Sequence, residues 1–307
     1  MINYAFPSVI DSSALAAFKA CPYKFFLSNV CEYKPRGQSV HLVAGKAFAK
    51  GLEASRKAFF IEDRPSDESI AIGLGALTRE YGDFQCPPDE SKSLERVLGA
   101  FEYYFSAYPL GEIDVPITFG GNRRGIEFSF ALPLPIQNPS SGDPIFYSGR
   151  MDAISGFAGG TYIVDEKTTK SLGPTWSRKW DLRGQFIGYA WGCRESGIKV
   201  DGSLIRGISI LKTKYDTAQA VVRHADWQVD LWFEETLYWI NQMIRHWQTA
   251  FHPHNYSDAC EDYGGCQFKD VCMSQEPGAW LDKFERKHWD PILGVETLLD
   301  APANLNP

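Results

Sequence analysis

Gly149-Arg150-Met151-Asp152-Ala153-Ile154, then a Gly159-Gly160 turn, then Val164-Asp165-Glu166-Lys167-Thr168: this stretch decides how the rest of the chain is read. Both flanking runs read as strands, and the paired glycines signal a hairpin. Side chains at i and i+2 share a face of a strand, so Asp165 and Lys167 point one way and Glu166 the other. Asp152 lies across the turn, where antiparallel pairing can set its carboxylate beside that of Asp165. Two carboxylates with one lysine suit a hard divalent cation such as Mg²⁺, which prefers oxygen ligands and can activate water or offset charge on a phosphoryl group. Lys167 can orient that water or neutralise transition-state charge. The plainer alternative is a surface salt bridge from Lys167 to Asp165 or Glu166. Gln185 and Tyr189, at i and i+4 of the next helix, share a face and can touch a nucleotide or brace the site. As a polar pair on a helix surface they would do neither.

Working outward, Ser12 or Ser13 predicts an N-cap for a first helix, which Pro22 ends or restarts. Helices are expected over 43–60, 67–81 and 90–108, with Gly51 counting against the first and Gly82 to Pro88 a loop. Ile126 to Leu132 alternates as a half-buried strand, Pro133 to Pro144 reads as a turn-rich connection, and Ile145 to Phe157 and Thr161 to Asp165 are strands. A helix from Arg178 to Ser196, strands near 203–212 and 217–223, and a long amphipathic helix over 226–249 complete the order. That last helix carries Val229, Trp232, Phe233, Ile240, Met243 and Trp247 near one face. This succession predicts an α/β core with a mixed central sheet flanked by helices, plus an N-terminal helical part. The expected divisions are 1–120, a core over 121–250, and a C-terminal segment over 251–307.

With 44% apolar and 22% charged residues in 307, the chain can bury a core and is not a disordered sequence. It has no apolar run near the ~20 residues of a membrane span. Its start lacks the basic-then-apolar pattern of a secretory signal, so a cytoplasmic protein without a membrane partner is expected. The net charge of −7 argues against nucleic acid until its distribution is seen. Residues 1–60 hold eight Lys/Arg against three Asp/Glu, and residues 165–214 hold ten against five, so each block is +5. Local basic surface matters more than total charge for binding phosphates.

Seven cysteines in a cytosolic chain point to metal or cluster ligation rather than disulfides. Cys260, Cys266 and Cys272 are separated by two five-residue spacers, with Gly264-Gly265 allowing a tight turn. A fourth ligand would be Cys21, in Ala20-Cys21-Pro22-Tyr23, or its rival Cys31. Cys86 and Cys193 read as isolated, buried thiols, and free thiols throughout is the plain alternative. The tail containing Trp280 and Trp289 can dock a partner or simply pack on the core.

Together, Ser13-Ala14-Leu15, Cys21-Pro22-Tyr23-Lys24-Phe25-Phe26, Gly149-Arg150-Met151-Asp152, Val164-Asp165-Glu166-Lys167-Thr168, Gln185-x-x-x-Tyr189 and the three late cysteines resemble the PD-(D/E)xK nucleases of the RecB/AddB type. The likeness is to their iron–sulfur branch, which includes CRISPR-associated and phage-encoded stand-alone exonucleases, and it runs from about residue 12 to 273. It implies a restriction-endonuclease-like core and a [4Fe–4S] cluster on Cys21, Cys260, Cys266 and Cys272, joining the N-terminal and C-terminal parts. It implies Mg²⁺ or Mn²⁺ on Asp152, Asp165 and the Glu166 backbone carbonyl, with Lys167 catalytic and Glu127 an additional acid. It implies hydrolysis of DNA, often at single-stranded ends, in recombination, repair or phage genome processing. No helicase motif is present, so unwinding would need a helicase or recombination partner. Two features depart from the family pattern. The usual helix histidine is Ala49 here, in Gly45-Lys46-Ala47-Phe48-Ala49, with Glu53 one turn on as a substitute oxygen ligand. The late cysteine spacing of five and five differs from the commoner two and five. A nuclease fold that binds DNA without cutting it, and a zinc-stapled α/β protein, are the competing readings.

Overall fold

The computed structural model describes residues 4–119, 123–261, 265–288 and 291. Gly264 of the cysteine segment and Trp289 of the tail lie outside them. The chain opens with β1 (Val9–Asp11), α1 (Ser12–Ala20), α2 (Pro22–Phe25), β2 (Tyr33–Pro35) and α3 (Val40–Phe60). Helices α4 (Ser66–Tyr81) and α5 (Leu94–Ala107) follow, then the short strands β3 (Val115–Pro116), β4 (Thr118–Phe119) and β5 (Arg123–Arg124). Next come β6 (Ile126–Gln137), β7 (Pro144–Phe157), β8 (Gly160–Thr169), α6 (Gly184–Glu195), β9 (Gly202–Ile210) and β10 (Tyr215–Val222). Helix α7 (Asp226–Thr249), α8 (Lys269–Met273), α9 (Pro277–Leu281) and β11 (Phe284–Arg286) close the order.

The sheet runs β1-β7-β8-β9-β10, with β3 and β6 also on β7. Its β7/β8 and β9/β10 pairs are antiparallel, and its β1/β7 and β8/β9 pairs are parallel. It is the mixed sheet expected, with α6 as the crossover that a parallel β8/β9 pair requires. The described residues fall into two compact units: those within 4–37, 130–149 and 227–291 make the first, and those within 38–119, 123–129 and 150–226 make the body of the second.

In the second unit, α3, α4 and α5 enclose an apolar cluster that includes Phe48, Leu52, Leu77, Phe101 and Tyr104, closed by Ile208 and Ile210 of β9. Helix α3 runs straight through Gly51 because the glycine is where α3 meets its neighbours. A Cβ at Gly51 would stand 2.7 Å from a Phe101 ring carbon, and one at Gly73 of α4 would stand 2.0 Å from Ser55 Oγ and 2.7 Å from the Gly51 carbonyl. Close approach there outweighs the ~1 kcal/mol that a glycine costs a helix.

Several boundaries differ from the sequence reading, each for a physical reason. Asp11, rather than Ser12 or Ser13, caps α1: its carboxylate accepts from the Ala14 N–H at 2.7 Å. Pro22 takes the first position of α2. Strand β6 continues through Pro133 and Pro135 to Gln137, with the two exposed prolines on either side of buried Leu134. Among the described residues it pairs only with β7, so an edge strand tolerates prolines that a central one would not. The expected 178–196 helix is a short 3₁₀ turn over Arg178–Trp180, then α6 from Gly184. The hairpin turn is made by Ala158 (φ 47°) and Gly159 (φ 80°), both left-handed as a tight two-residue connection needs.

The first unit holds α1, α2 and α7. Phe18 packs edge-on to Phe25 and Trp239, and Tyr147 packs edge-on to Trp232. Val229, Trp232, Thr236, Ile240 and Met243 form the buried stripe of α7. Among the described residues no helix is long and apolar enough to cross a membrane.

Candidate active site

The β7/β8 hairpin is in register Ala153↔Val164, which sets Asp152 and Asp165 next along the same ladder. Asp152 Oδ2 accepts the Glu166 N–H at 2.8 Å. Asp165, 3% exposed, has the Lys167 ammonium 2.5 Å from its Oδ2, and that buried oxygen takes no aligned hydrogen bond. From α6, Gln185 Nε2 donates to Asp165 Oδ1 at 3.5 Å and to the Tyr189 hydroxyl at 3.0 Å. Burial, then repulsion from Asp165, Glu166 and Glu127, pushes the Asp152 carboxyl well up, against the pull of Lys167. Burial likewise raises Asp165, opposed by Lys167 and assisted by Glu166. Burial works against the Lys167 ammonium, but Asp165 and Asp152 overcome it and hold the charge.

Glu166 faces the other way. Arg56 of α3 grips it with both guanidinium nitrogens, one of them 3.2 Å from Oε2, and the Tyr104 hydroxyl donates to Oε1 at 2.9 Å. Arg206 of β9 reaches Tyr104 at 3.5 Å and Asp114 at 2.6 Å. Burial alone would raise Glu166; Arg56 first and then Arg206 reverse that and hold it at about 2.

Glu127, at φ 51°, and Glu53 of α3 are joined by Arg150, whose Nε lies 2.5 Å from Glu127 and whose Nη2 lies 4.0 Å from Glu53. Glu53 also pairs with Lys50 at 2.6 Å and Lys57 at 3.0 Å. Burial disfavours its charge, but those two lysines hold it below the usual range. Burial raises Glu127, with Arg150 opposing and Glu53 assisting. Ala49 leaves α3 without a ligand at the family's histidine position. Sequence reasoning missed Arg56, Tyr104, Arg206 and Asp114. The available signal was a charged residue, Arg56, within the apolar stripe of α3.

In the first unit, Cys21, Cys260, Cys266 and Cys272 line one cavity of about 160 Å³, with Tyr23 and Phe268. The Asn255 N–H lies 3.5 Å from Cys21 Sγ, and the Cys260 thiol lies 3.8 Å from the Asn255 carbonyl. Burial and then the three other cysteines push the Cys272 thiol up to about 11. Cys31 is buried beside Tyr4 and is not among the cavity's lining residues. Cys193 is buried as expected, whereas Cys86 is half-exposed because its loop turns it to Pro87.

Among the described residues no three His, Cys, Asp or Glu side chains are gathered into a ready metal-binding group. Two carboxylates and a backbone carbonyl need no such group. The buried Asp165 oxygen without a hydrogen bond, and an Asp152 carboxyl raised by burial and by Asp165, suit a hard cation. The thiols, drawn to one cavity but not gathered, suit a soft metal centre in donor type alone.

The PD-(D/E)XK nuclease superfamily model matches residues 12–273, a span that takes in every residue of this hairpin and all four cysteines. The chain belongs to the PD-(D/E)XK nuclease superfamily. Such nucleases typically use Mg²⁺ or Mn²⁺ and act on DNA. No curated protein matches. Among solved structures, a candidate exonuclease from Eubacterium rectale is similar at 13% identity and TM-score 0.47, covering 83% of this chain and 86% of its own. A protein named SSO0001 is similar at 11% identity and TM-score 0.35, covering 87% of this nuclease and 86% of itself.

Proposed function

We propose that this nuclease is a divalent-metal-dependent DNA exonuclease of the RecB/AddB type, acting on single-stranded DNA or DNA ends. One observation carries the reading: two buried carboxylates, Asp152 and Asp165, lie on neighbouring strands, with Asp152 accepting the Glu166 N–H at 2.8 Å and the Lys167 ammonium 2.5 Å from Asp165. A Mg²⁺ or Mn²⁺ ion on Asp152, Asp165 and the Glu166 carbonyl supplies positive charge for phosphodiester hydrolysis. The chain's own groups do the rest. Lys167 orients the attacking water and offsets charge on the phosphoryl oxygens. Gln185 fixes the Asp165 carboxylate, and Tyr189 steadies Gln185. Glu127 and Glu53 extend the acidic wall through Arg150.

The four cysteines are read as ligands of a structural [4Fe–4S] cluster, supported by their common cavity. A cytoplasmic role in recombination, repair or phage genome processing follows, with a helicase-type partner supplying single strands. The competing reading is a nuclease fold that binds DNA without cutting it. Ala49 favours it, as does the internal cation Arg150 lying between Glu127 and Glu53.

The test is digestion of end-labelled single- and double-stranded DNA with Mg²⁺ or Mn²⁺, comparing wild type with Asp165→Ala and Lys167→Ala. Metal-dependent product from wild type alone is expected. Equal activity in both variants would sink the site assignment, and DNA binding without turnover would establish the competing reading. Anaerobically purified protein is expected to show the broad visible absorbance of an iron–sulfur centre; stoichiometric zinc without colour overturns the cluster.

A further inference from the structure

Lys92 is a lysine buried to 3% exposure with no carboxylate in ion-pair range among the described residues. Its Nζ makes one hydrogen bond, to the neutral Thr168 Oγ1 at 3.1 Å. An ammonium has three protons to donate, and burying one without an anion is costly. Burial first, then the nearby Lys170, brings it down to about 8, with Glu90 opposing them. Its backbone is nonetheless pinned on both sides. The Tyr81 hydroxyl donates to the Lys92 carbonyl at 2.7 Å, and Ser91 Oγ donates to the Ile210 carbonyl at 2.6 Å. The ammonium thus has one neutral hydrogen-bond partner and, among the described residues, only Glu90 attracts it, from beyond ion-pair range.

Its surroundings agree. Lys170, just past the end of β8, and His41 of α3 are exposed and both reach Glu90. The single acid there, Glu90, is already engaged by Lys170 at 3.1 Å and approached by His41 at 3.9 Å. Gly45, one turn after His41, keeps a side chain out of the recess. The nearest atom to where its Cβ would stand is Thr168 Oγ1, at 3.5 Å. Thr168, accepting from Lys92, keeps its own hydroxyl proton to donate.

We propose that Lys92, Thr168, Lys170 and His41 form a phosphate-binding recess for the substrate strand, separate from the metal site. Thr168 follows Lys167 on β8 but leaves the opposite face. The recess therefore takes a different phosphate from the one cleaved, and Lys92 is a positioning residue. This rests on DNA being the substrate; it does not rest on Asp165 or Lys167 being catalytic.

The experiment is binding of a fluorescent single-stranded oligonucleotide to the full chain in EDTA, across a salt series, for wild type, Lys92→Met, Lys92→Arg and Asp165→Ala. Each phosphate neutralised on a single strand contributes about 0.7 to the slope of log affinity against log salt. Lys92→Met is expected to lose about 0.7 of that slope and roughly threefold or more in affinity, while Lys92→Arg keeps the wild-type slope. The DNA-free Lys92→Met protein is expected to melt no lower than wild type, since the substitution removes a buried charge that lacks a partner. An unchanged slope overturns the proposal. So does a Lys92→Met protein that melts well below wild type or fails to fold, because Lys92 would then be a structural lysine. Asp165→Ala separates the two readings. Lost cleavage with the full slope supports both. A Lys92-dependent slope in a wild type that never cuts keeps the recess and removes the nuclease assignment.

Discussion

Asp165 and Glu166 are adjacent in sequence, both have buried side chains, and their carboxyls are shifted in opposite directions. Glu166 meets a bidentate arginine, a tyrosine hydroxyl and a second arginine beyond it, and is held at about 2. Asp165 meets one lysine and a long contact from Gln185, shares its surroundings with Asp152, and is pushed up. The difference separates two uses of a buried carboxylate. One whose charge is fully compensated ties elements together: here it binds α3 and α5 to β8. One left under-compensated keeps capacity for something the chain does not itself supply.

The largest expected effect tests the under-compensated side. Asp165→Ala or Lys167→Ala should lower nuclease turnover by about 10²–10⁴-fold, read in the end-label assay, without a comparable loss of stability. The compensated side should behave in reverse. Arg56→Met strands the Glu166 charge and should cost about 3–5 kcal/mol in denaturant unfolding. A loss under 1 kcal/mol would mean that Glu166 is not held as described.

Removing a carboxylate from the repelling pair should help the metal-free protein. Asp152→Asn is expected to gain about 0.5–2 kcal/mol in EDTA while losing the stabilisation that Mg²⁺ gives wild type. Acid unfolding sharpens the same contrast. Glu166 falls from 4.5 to about 2 on folding, so its contribution is complete above about 4.5 and disappears as the pH drops toward 2. Asp152 is raised on folding, so its contribution has the other sign: metal-free stability falls as pH rises above the ordinary aspartate range. Asp152→Asn should weaken the second dependence, to which the raised Asp165 and Glu127 also contribute, and leave the first. Away from the site, Gly73→Ala, forcing a Cβ against Ser55 and the Gly51 carbonyl, should cost about 1–3 kcal/mol and leave both acid dependences unchanged.

Much of this was legible in the residues. The period-two pattern and the glycine pair located the β7/β8 hairpin, although the turn itself is Ala158-Gly159. The expected bounds of α7 hold and four of its six expected apolar residues are buried, while Phe233 and Trp247 are half-buried and Thr236 joins the stripe. Strand alternation alone put Asp165 with Lys167 and turned Glu166 away. The extension of β6 through two prolines was not legible, since nothing local says that a strand will sit at an edge. Nor was the cap at Asp11, where three consecutive polar residues could each serve.

Sequence by itself determined the order of elements, the faces of β8 and the Asp165-Glu166-Lys167 motif, because those depend on spacings of one to four residues along the chain. Tertiary structure alone decided which charges are answered. Arg56 is 110 residues from Glu166, and Thr168 is 76 from Lys92. Compensation of a buried charge depends on what stands within a few ångströms in space, and no local pattern encodes a partner that far along the chain.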